Sequence, residues 1–319
     1  MKNNKKNIFV ILSIIFSISL TLIIVETYVR IFIDDGKNLN IEMLKYAKTL
    51  KKISLNTKIG IEHKKNINMK LMNVHIRLNS QGFRNEHDLI NDKKKILMLG
   101  DSMTFGWGAN KTFSNNLEEK LGKDFQVLNA GIGNTNSYMQ ISNFFENLED
   151  YKYDVIVLNF FINDLEKVEV KKGYFLVKNL YSYTYIKSII NELLINYSLK
   201  DDWSIFYSKT FKDANFVKKT FLEIIRLNNY CKERNIHFVI HNIPELRDLN
   251  NYKFANETKL VKNFAIENNI AFIDSIEILK TNDEKTLWVS PEDPHANNKA
   301  HLLIADFLYQ KLFTIFNSL

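Results

Sequence analysis

The sequence is 319 residues long, enough for one large domain or two small ones, and its 45% hydrophobic and 25% charged residues are ordinary for a folded globular chain. The formal net charge is +7, but the lysines are spread along the whole length with no Arg-rich block or basic helix, so nucleic acid is not indicated as a partner. A lone cysteine, Cys231, excludes an intrachain disulfide and a cysteine-built metal site, and it reads as a small core residue on a helical pattern.

In chain order, the first pattern is Met-Lys-Asn-Asn-Lys-Lys-Asn followed by Ile8 to Val25 without a charge. Eighteen residues at the helical rise span about 27 Å, close to a hydrocarbon core, and Tyr28 to Ile33 can extend the span past Glu26. Lys2, Lys5 and Lys6 precede it, which keeps the N-terminus cytoplasmic and sends the body of the chain out of the cytoplasm. A cleaved signal peptide is the rival reading. No small-x-small site follows Val25, where Glu26-Thr-Tyr-Val-Arg30 is bulky and charged, so an uncleaved anchor over residues 1–33, contacting the bilayer through 8–33, is expected.

Residues 34–92 are Lys-rich and weakly periodic, as a membrane-proximal neck would be. Their sharpest feature is Asn79-Ser-Gln-Gly-Phe-Arg84, a turn signal with an aromatic and an arginine behind it. A third region, 93–319, then alternates strands and helices. Strands are expected at Ile96–Leu99, Gln126–Asn129, Val155–Asn159, His237–His241 and Ala271–Asp274. Helices are expected at Phe113–Leu121, Ser137–Leu148, Phe216–Arg234 and Thr258–Asn268. A last helix from about Asn298 carries Ala300, Leu303, Ile304, Phe307, Leu308, Leu312 and Ile315 on one stripe. Such alternation predicts βαβ units and an α/β fold with a parallel sheet. One segment, about 165–214, is too long for a simple βα loop. It is rich in aromatics, with an amphipathic pattern through Tyr185, Ile189, Leu193 and Tyr197. It reads equally as a lid, as an acceptor-binding surface or as plain packing.

Four polar clusters fall at strand ends or before the last helix. They are Gly100-Asp101-Ser102, Asn129-Ala-Gly131, Asn159-Phe-Phe-Ile-Asn163-Asp164 and Asp293-Pro-His295. Ester cleavage needs a nucleophile, a base and donors aimed at the developing oxyanion. Ser102 can be the nucleophile and His295 the base, with Asp293 fixing its tautomer. Pro294 holds Asp293 extended, and residues two apart in extended chain point to one side. The Ser102 N–H, the Gly131 N–H and the Asn163 side-chain amide are the candidate oxyanion donors. Each cluster also has a plain structural reading as a turn or cap, and His241 and His301 compete with His295 as base. The conjunction of all four favours chemistry. No glycine-rich phosphate loop appears, and neither a cofactor nor a metal is expected.

In these residues the chain resembles the SGNH (GDSL) hydrolase superfamily, whose blocks carry Ser, Gly, Asn and His in this order. Gly100-Asp101-Ser102 with Thr104 and Gly106 is similar to the first block, Gly131 to the second, Asn163-Asp164 to the third and Asp293-x-His295 to the last. The resemblance covers roughly Lys95 to the C-terminus. It implies a three-layer α/β/α sandwich, a Ser-His-Asp triad and a three-part oxyanion hole. One position departs from the pattern: the third block usually has Gly two residues before Asn, and here it is Phe161, which could narrow the pocket or tilt Asn163. The anchor and the Asn79–Arg84 lead-in also resemble bacterial cell-envelope members, a group similar to enzymes that add or remove acyl groups on envelope or exported polysaccharide. The resemblance therefore implies a membrane-anchored serine esterase or O-acyltransferase whose partners are an acyl ester and the bilayer. A lysophospholipase or thioesterase, and a non-catalytic envelope protein that keeps the fold, stand beside it as alternatives.

Overall fold

The computed structural model describes residues 2–170 and 178–317, so the part of the expected insertion at 171–177 lies outside the described residues. The chain forms two compact units.

The smaller unit takes residues 1–48 and 172–200. Helix α1, Lys2–Tyr28, runs into a π-helical turn at Val29–Ile33. Between Lys5 and Ile33 it is long and apolar enough to cross a membrane, and none of its apolar window is buried by protein. Asn38 caps helix α2, Leu39–Thr49, by accepting from the Ile41 N–H.

The larger unit takes residues 49–171 and 201–319. It begins with two small antiparallel hairpins. One pairs β1, Lys51–Ile53, with β2, Ile61–His63, and the other pairs β3, Ile67–Leu71, with β4, Val74–Leu78. In β4 burial alternates strictly: Val74, Ile76 and Leu78 point in, and His75 and Arg77 point out.

Then comes the βα alternation. Strand β5 is Lys94–Leu99, followed by helix α3, Ser102–Phe105, and helix α4, Phe113–Leu121. Strand β6 is Phe125–Asn129, helix α5 Ser137–Asn143 with a π-helical turn at Phe144–Leu148, and strand β7 Val155–Phe160. In the smaller unit the chain forms helix α6, Tyr181–Asn196. Back in the larger one come helices α7, Trp203–Thr210, and α8, Ala214–Glu233, then strand β8, His237–Asn242. Helix α9, Ala255–Glu267, precedes strand β9, Ala271–Asp274. A short helix α10, Ile276–Leu279, leads to the hairpin of β10, Trp288–Ser290, and β11, Asp293–Ala296. Helix α11, Asn298–Asn317, closes the chain.

The five central strands are parallel in the order β6-β5-β7-β8-β9. Strands buried on both faces read as continuous apolar runs, and the period of two sends alternate residues to opposite cores. Ile96, Met98, Val155 and Val157 face one core, with Phe113 and Leu117 of α4 and Ile304 and Leu308 of α11. Leu97, Leu99, Ile156 and Leu158 face the other, with Ile141 of α5, Ile224, Leu227 and Cys231 of α8 and Val261 of α9. The result is the three-layer α/β/α arrangement, with all five expected strands in place. The strand order reverses between β5 and β7, and open α/β sheets place ligands in the crevice beyond the carboxyl ends at such a point.

Candidate active site

Strand β5 gives way to Gly100-Asp101, and Asp101 caps α3 by accepting from the Met103 N–H at 2.9 Å. Ser102 therefore opens the short helix at the carboxyl end of the sheet. The helix ends on Gly106, whose φ of +83° favours glycine, and a Cβ there would meet the Thr112 side chain at 2.5 Å. The wall behind α3 comes from the hairpin β10–β11, where Ser290 pairs with Asp293 and leaves Asp293-Pro-His295 extended.

This hairpin brings Ser102, Asp293 and His295 together across the unit. Ser102 Oγ lies 3.0 Å from His295 Nε2, and His295 Nδ1 lies 2.5 Å from Asp293 Oδ1. A carboxylate only accepts, so Nδ1 carries the proton and Nε2 is left to accept from the hydroxyl. The same Asp293 oxygen accepts from the His295 backbone N–H at 3.1 Å, and its other oxygen accepts from the Trp107 indole N–H at 3.0 Å. Asp293 and Trp107 are almost fully buried, at 1% and 2% exposure.

The charges are set accordingly. Burial would raise the Asp293 carboxyl, but the hydrogen bond and charge of His295, with the Trp107 bond, hold it below its ordinary range. Burial would lower His295, but the bond and charge of Asp293, and then the charge of Asp101, lift it above its usual value. An imidazole poised as a base beside a hydroxyl, with its tautomer fixed by a carboxylate, can draw the proton from Ser102 as the oxygen attacks a carbonyl.

The other two histidines are engaged elsewhere. His301 is buried in α11, where its Nδ1 accepts from the Phe113 N–H at 3.1 Å at the start of α4. His241 sits in β8 between Asn159 Oδ1 at 2.7 Å and Ser275 Oγ at 2.6 Å. Burial pushes both down to about 3, so they stay neutral at physiological pH.

The three candidate oxyanion donors lie in α3 or against it and its cap, each with its own local engagement. Ser102 presents its N–H at the start of α3. The Gly131 N–H donates to Asn129 Oδ1 at 3.1 Å. A Cβ on Gly131 would stand 2.3 Å from the Phe105 nitrogen, so glycine is required where the chain after β6 crosses the backbone of α3. Asn163 lies on a 3₁₀ turn, Ile162–Leu165, after β7. Its amide donates to Asp101 Oδ2 at 3.0 Å, and an amide nitrogen has a second N–H. Phe161, the residue that departs from the family pattern, packs into the core edge-on to Tyr207 of α7, at 6.5 Å between ring centroids. Its N–H is held at 2.7 Å by Asp164 Oδ2. Burial, then the Asp101 charge, pushes the fully buried Asp164 well above its ordinary range, and burial raises Asp101 too.

Two contributors were not assigned from the sequence. Trp107 is 186 positions from the carboxylate it holds, and no periodic rule links the two. Asp101, read as a turn residue, is the acceptor that sets the Asn163 amide. Arg84, behind the Asn79 turn signal, has a buried guanidinium that donates to the carbonyls of Phe105 at 2.8 Å, Gly106 at 2.5 Å and Ala109 at 2.6 Å, at and just past the end of α3.

No protein-family model matches the chain, and none of the curated proteins does. Among solved structures the chain is similar to an acetylxylan esterase from Geobacillus stearothermophilus, at 16% identity over 70% of this chain and 95% of that one, with a TM-score of 0.45. It is similar to a protein of the G-D-S-L family from Desulfitobacterium hafniense DCB-2, at 15% identity over 68% and 99%, with a TM-score of 0.41. A two-domain esterase active on acetylated mannans is similar at 17% identity over 70% and 50%, with a TM-score of 0.46. Likenesses of this depth say nothing of what this chain acts on.

Proposed function

We propose that the protein is a serine esterase or O-acyltransferase of the SGNH kind, working through an acyl-enzyme on Ser102. The observation that carries this reading is the unbroken relay from Ser102 Oγ through His295 to a buried Asp293, at 3.0 and 2.5 Å. In the first half-reaction His295 Nε2 takes the hydroxyl proton while Ser102 Oγ bonds to the acyl carbon. The tetrahedral oxyanion collapses, and the alcohol leaves with the proton from His295. In the second half, water or an acceptor hydroxyl gives its proton to His295 and attacks the acyl carbon, and His295 returns that proton to Ser102 Oγ as the bond to the serine breaks. Hydrolase and transferase differ only in that acceptor. The backbone N–H of Ser102, that of Gly131 and the Asn163 amide hold the oxyanion, and the Gly131 N–H leaves Asn129 to do so.

The N-terminal helix anchors the protein with its tip, Lys2 to Lys6, in the cytoplasm, and the region from 93 onward acts outside it. The substrates are O-acyl esters of cell-envelope or exported polysaccharide. What supports this part is the charge-free run of α1 behind lysines, together with the family resemblance of the site blocks.

Turnover of acetylated oligosaccharides and of lysophospholipid by the detergent-extracted full chain tests the reading. Acyl release from the sugars, lost in both Ser102→Ala and His295→Ala and no worse in the double variant, is the expected result. Release from lysophospholipid alone would move the assignment to a lipid hydrolase. Undiminished turnover by Ser102→Ala would end it.

A further inference from the structure

Helix α6 presents an apolar stripe that, among the described residues, joins neither hydrophobic core. Ile186, Ile189, Ile190 and Leu193 fall at i, i+3, i+4 and i+7, on one face, and each is 41–51% exposed. Tyr183, Tyr197 and Leu199 are exposed as well, and Lys187 and Glu192 are the charged residues of the helix. Sixteen residues make a rod about 24 Å long. An apolar face of that size on a water-bathed helix marks a surface that something covers.

Its first turn shows where the helix sits. Glu26, in the last turn of α1, accepts from the Tyr181 N–H at 3.1 Å and from the Ser182 N–H at 2.9 Å, so a carboxylate belonging to the membrane-length helix caps the start of α6. The Ser182 hydroxyl adds a third bond to Glu26 at 2.6 Å. Arg30 donates to the Asn179 carbonyl at 2.8 Å and lies over the Tyr181 ring at 4.1 Å. Glu26 and Arg30 mark the end of the charge-free run from Ile8 to Val25. If that run fills the hydrocarbon, α6 is pinned at the level where it ends.

We propose that α6 lies along the bilayer surface, with the Ile186–Leu193 stripe sunk into the boundary between headgroups and acyl chains. The apolar stripe supplies the buried area, and tyrosines at 183, 185 and 197 suit the headgroup level, where amphipathic rings collect. Lys187 and Glu192 offer little charge, so the attraction is apolar and insensitive to salt. The inference rests on the reading of α1 as a membrane span, and it adds a second, lateral contact with lipid about 150 residues further along the chain.

Single-cysteine labelling of the full chain in phosphatidylcholine–phosphatidylglycerol vesicles tests it. Cys231 is buried, and burial pushes its thiol up to about 12, so it stays unlabelled. An environment-sensitive dye is placed on Ile190→Cys, on Leu193→Cys and, as a control in the span, on Ile15→Cys. Both α6 dyes are expected to shift to the blue and to lose most of their emission to lipids brominated high on the acyl chain. The Ile15→Cys dye is expected to respond to deep bromines. If it does and the α6 dyes emit as in water, α6 stands off the membrane and the proposal is wrong. If the α6 dyes are shielded but no bromine quenches them, protein covers the stripe, a second copy included, and the proposal is equally wrong. If the Ile15→Cys dye meets no lipid, the span itself fails and this inference falls with it.

Discussion

At the scale of single residues, the account turns on how His295 is held. Its ionisation lies above the usual imidazole value because Asp293 and Asp101 favour the charged ring. A general base works in the neutral form, so activity is lost as pH falls through that raised value. The acid limb of kcat/KM is therefore expected above about 6.5. Asp293→Asn should move the limb down and leave a slow enzyme with the tautomer wrong. A limb unmoved in Asp293→Asn would mean that another group sets it. Trp107 makes a separable contribution. Trp107→Phe keeps the packing and removes one hydrogen bond to a charged group, worth about 1.5–3 kcal/mol, of which the chemical step feels part. We expect kcat to fall about tenfold with KM unchanged. A rise in KM alone would make Trp107 part of the substrate pocket. His301→Asn should retain most activity, since this histidine caps α4 and does not reach Ser102.

At the scale of elements, the turn that carries Ser102 is supported from behind by a stretch far upstream. Arg84 ties down three carbonyls at and beyond the end of α3, and each loses a charged donor when the guanidinium goes. Arg84→Ala should cost about 3 kcal/mol or more in urea unfolding and lower kcat as the turn loosens. An active, undestabilised Arg84→Ala would show that the turn holds itself. β5, β7 and β8 were readable because strands buried on both faces leave continuous apolar runs, and α4 because Thr112 and Gly122 bracket it. The small hairpins of residues 51–78 were not. The turn between β3 and β4 puts Met72 and Asn73 at φ of +50° and +59°, where an Asn-Gly pair would have announced a hairpin. Strands of three lysine-rich residues give no period to read. The Ser-His-Asp relay was legible because Asp293 and His295 are two apart in extended chain. Its Trp107 partner was not, because only the folded hairpin brings the indole to the carboxylate.

At the scale of the whole molecule, burial of neutral histidines links stability to pH. His63, His241 and His301 are each pushed down to about 3 by burial. Their folded values lie below the unfolded value near 6.5, so the stability they confer is full above that pH and is lost as pH falls toward 3. Each proton taken up on unfolding steepens the curve by about 1.4 kcal/mol per pH unit. Asp101 and Asp164, raised by burial, act in the opposite sense from their unfolded value near 3.9 upward to their raised folded values. Urea unfolding between pH 7 and 5 reads the net of the two effects, and His301→Asn should lower its slope by up to one proton. An unchanged slope would mean that His301 is not held neutral. The central claim is more direct than any of these: one serine carries the acyl group. Rapid-quench mass spectrometry of the full chain with an activated acetyl ester measures it. We predict an adduct the mass of one acetyl group on the peptide containing Ser102, forming in a burst and absent from His295→Ala. An acetyl group on any other residue, or turnover without a trapped adduct, would contradict the account.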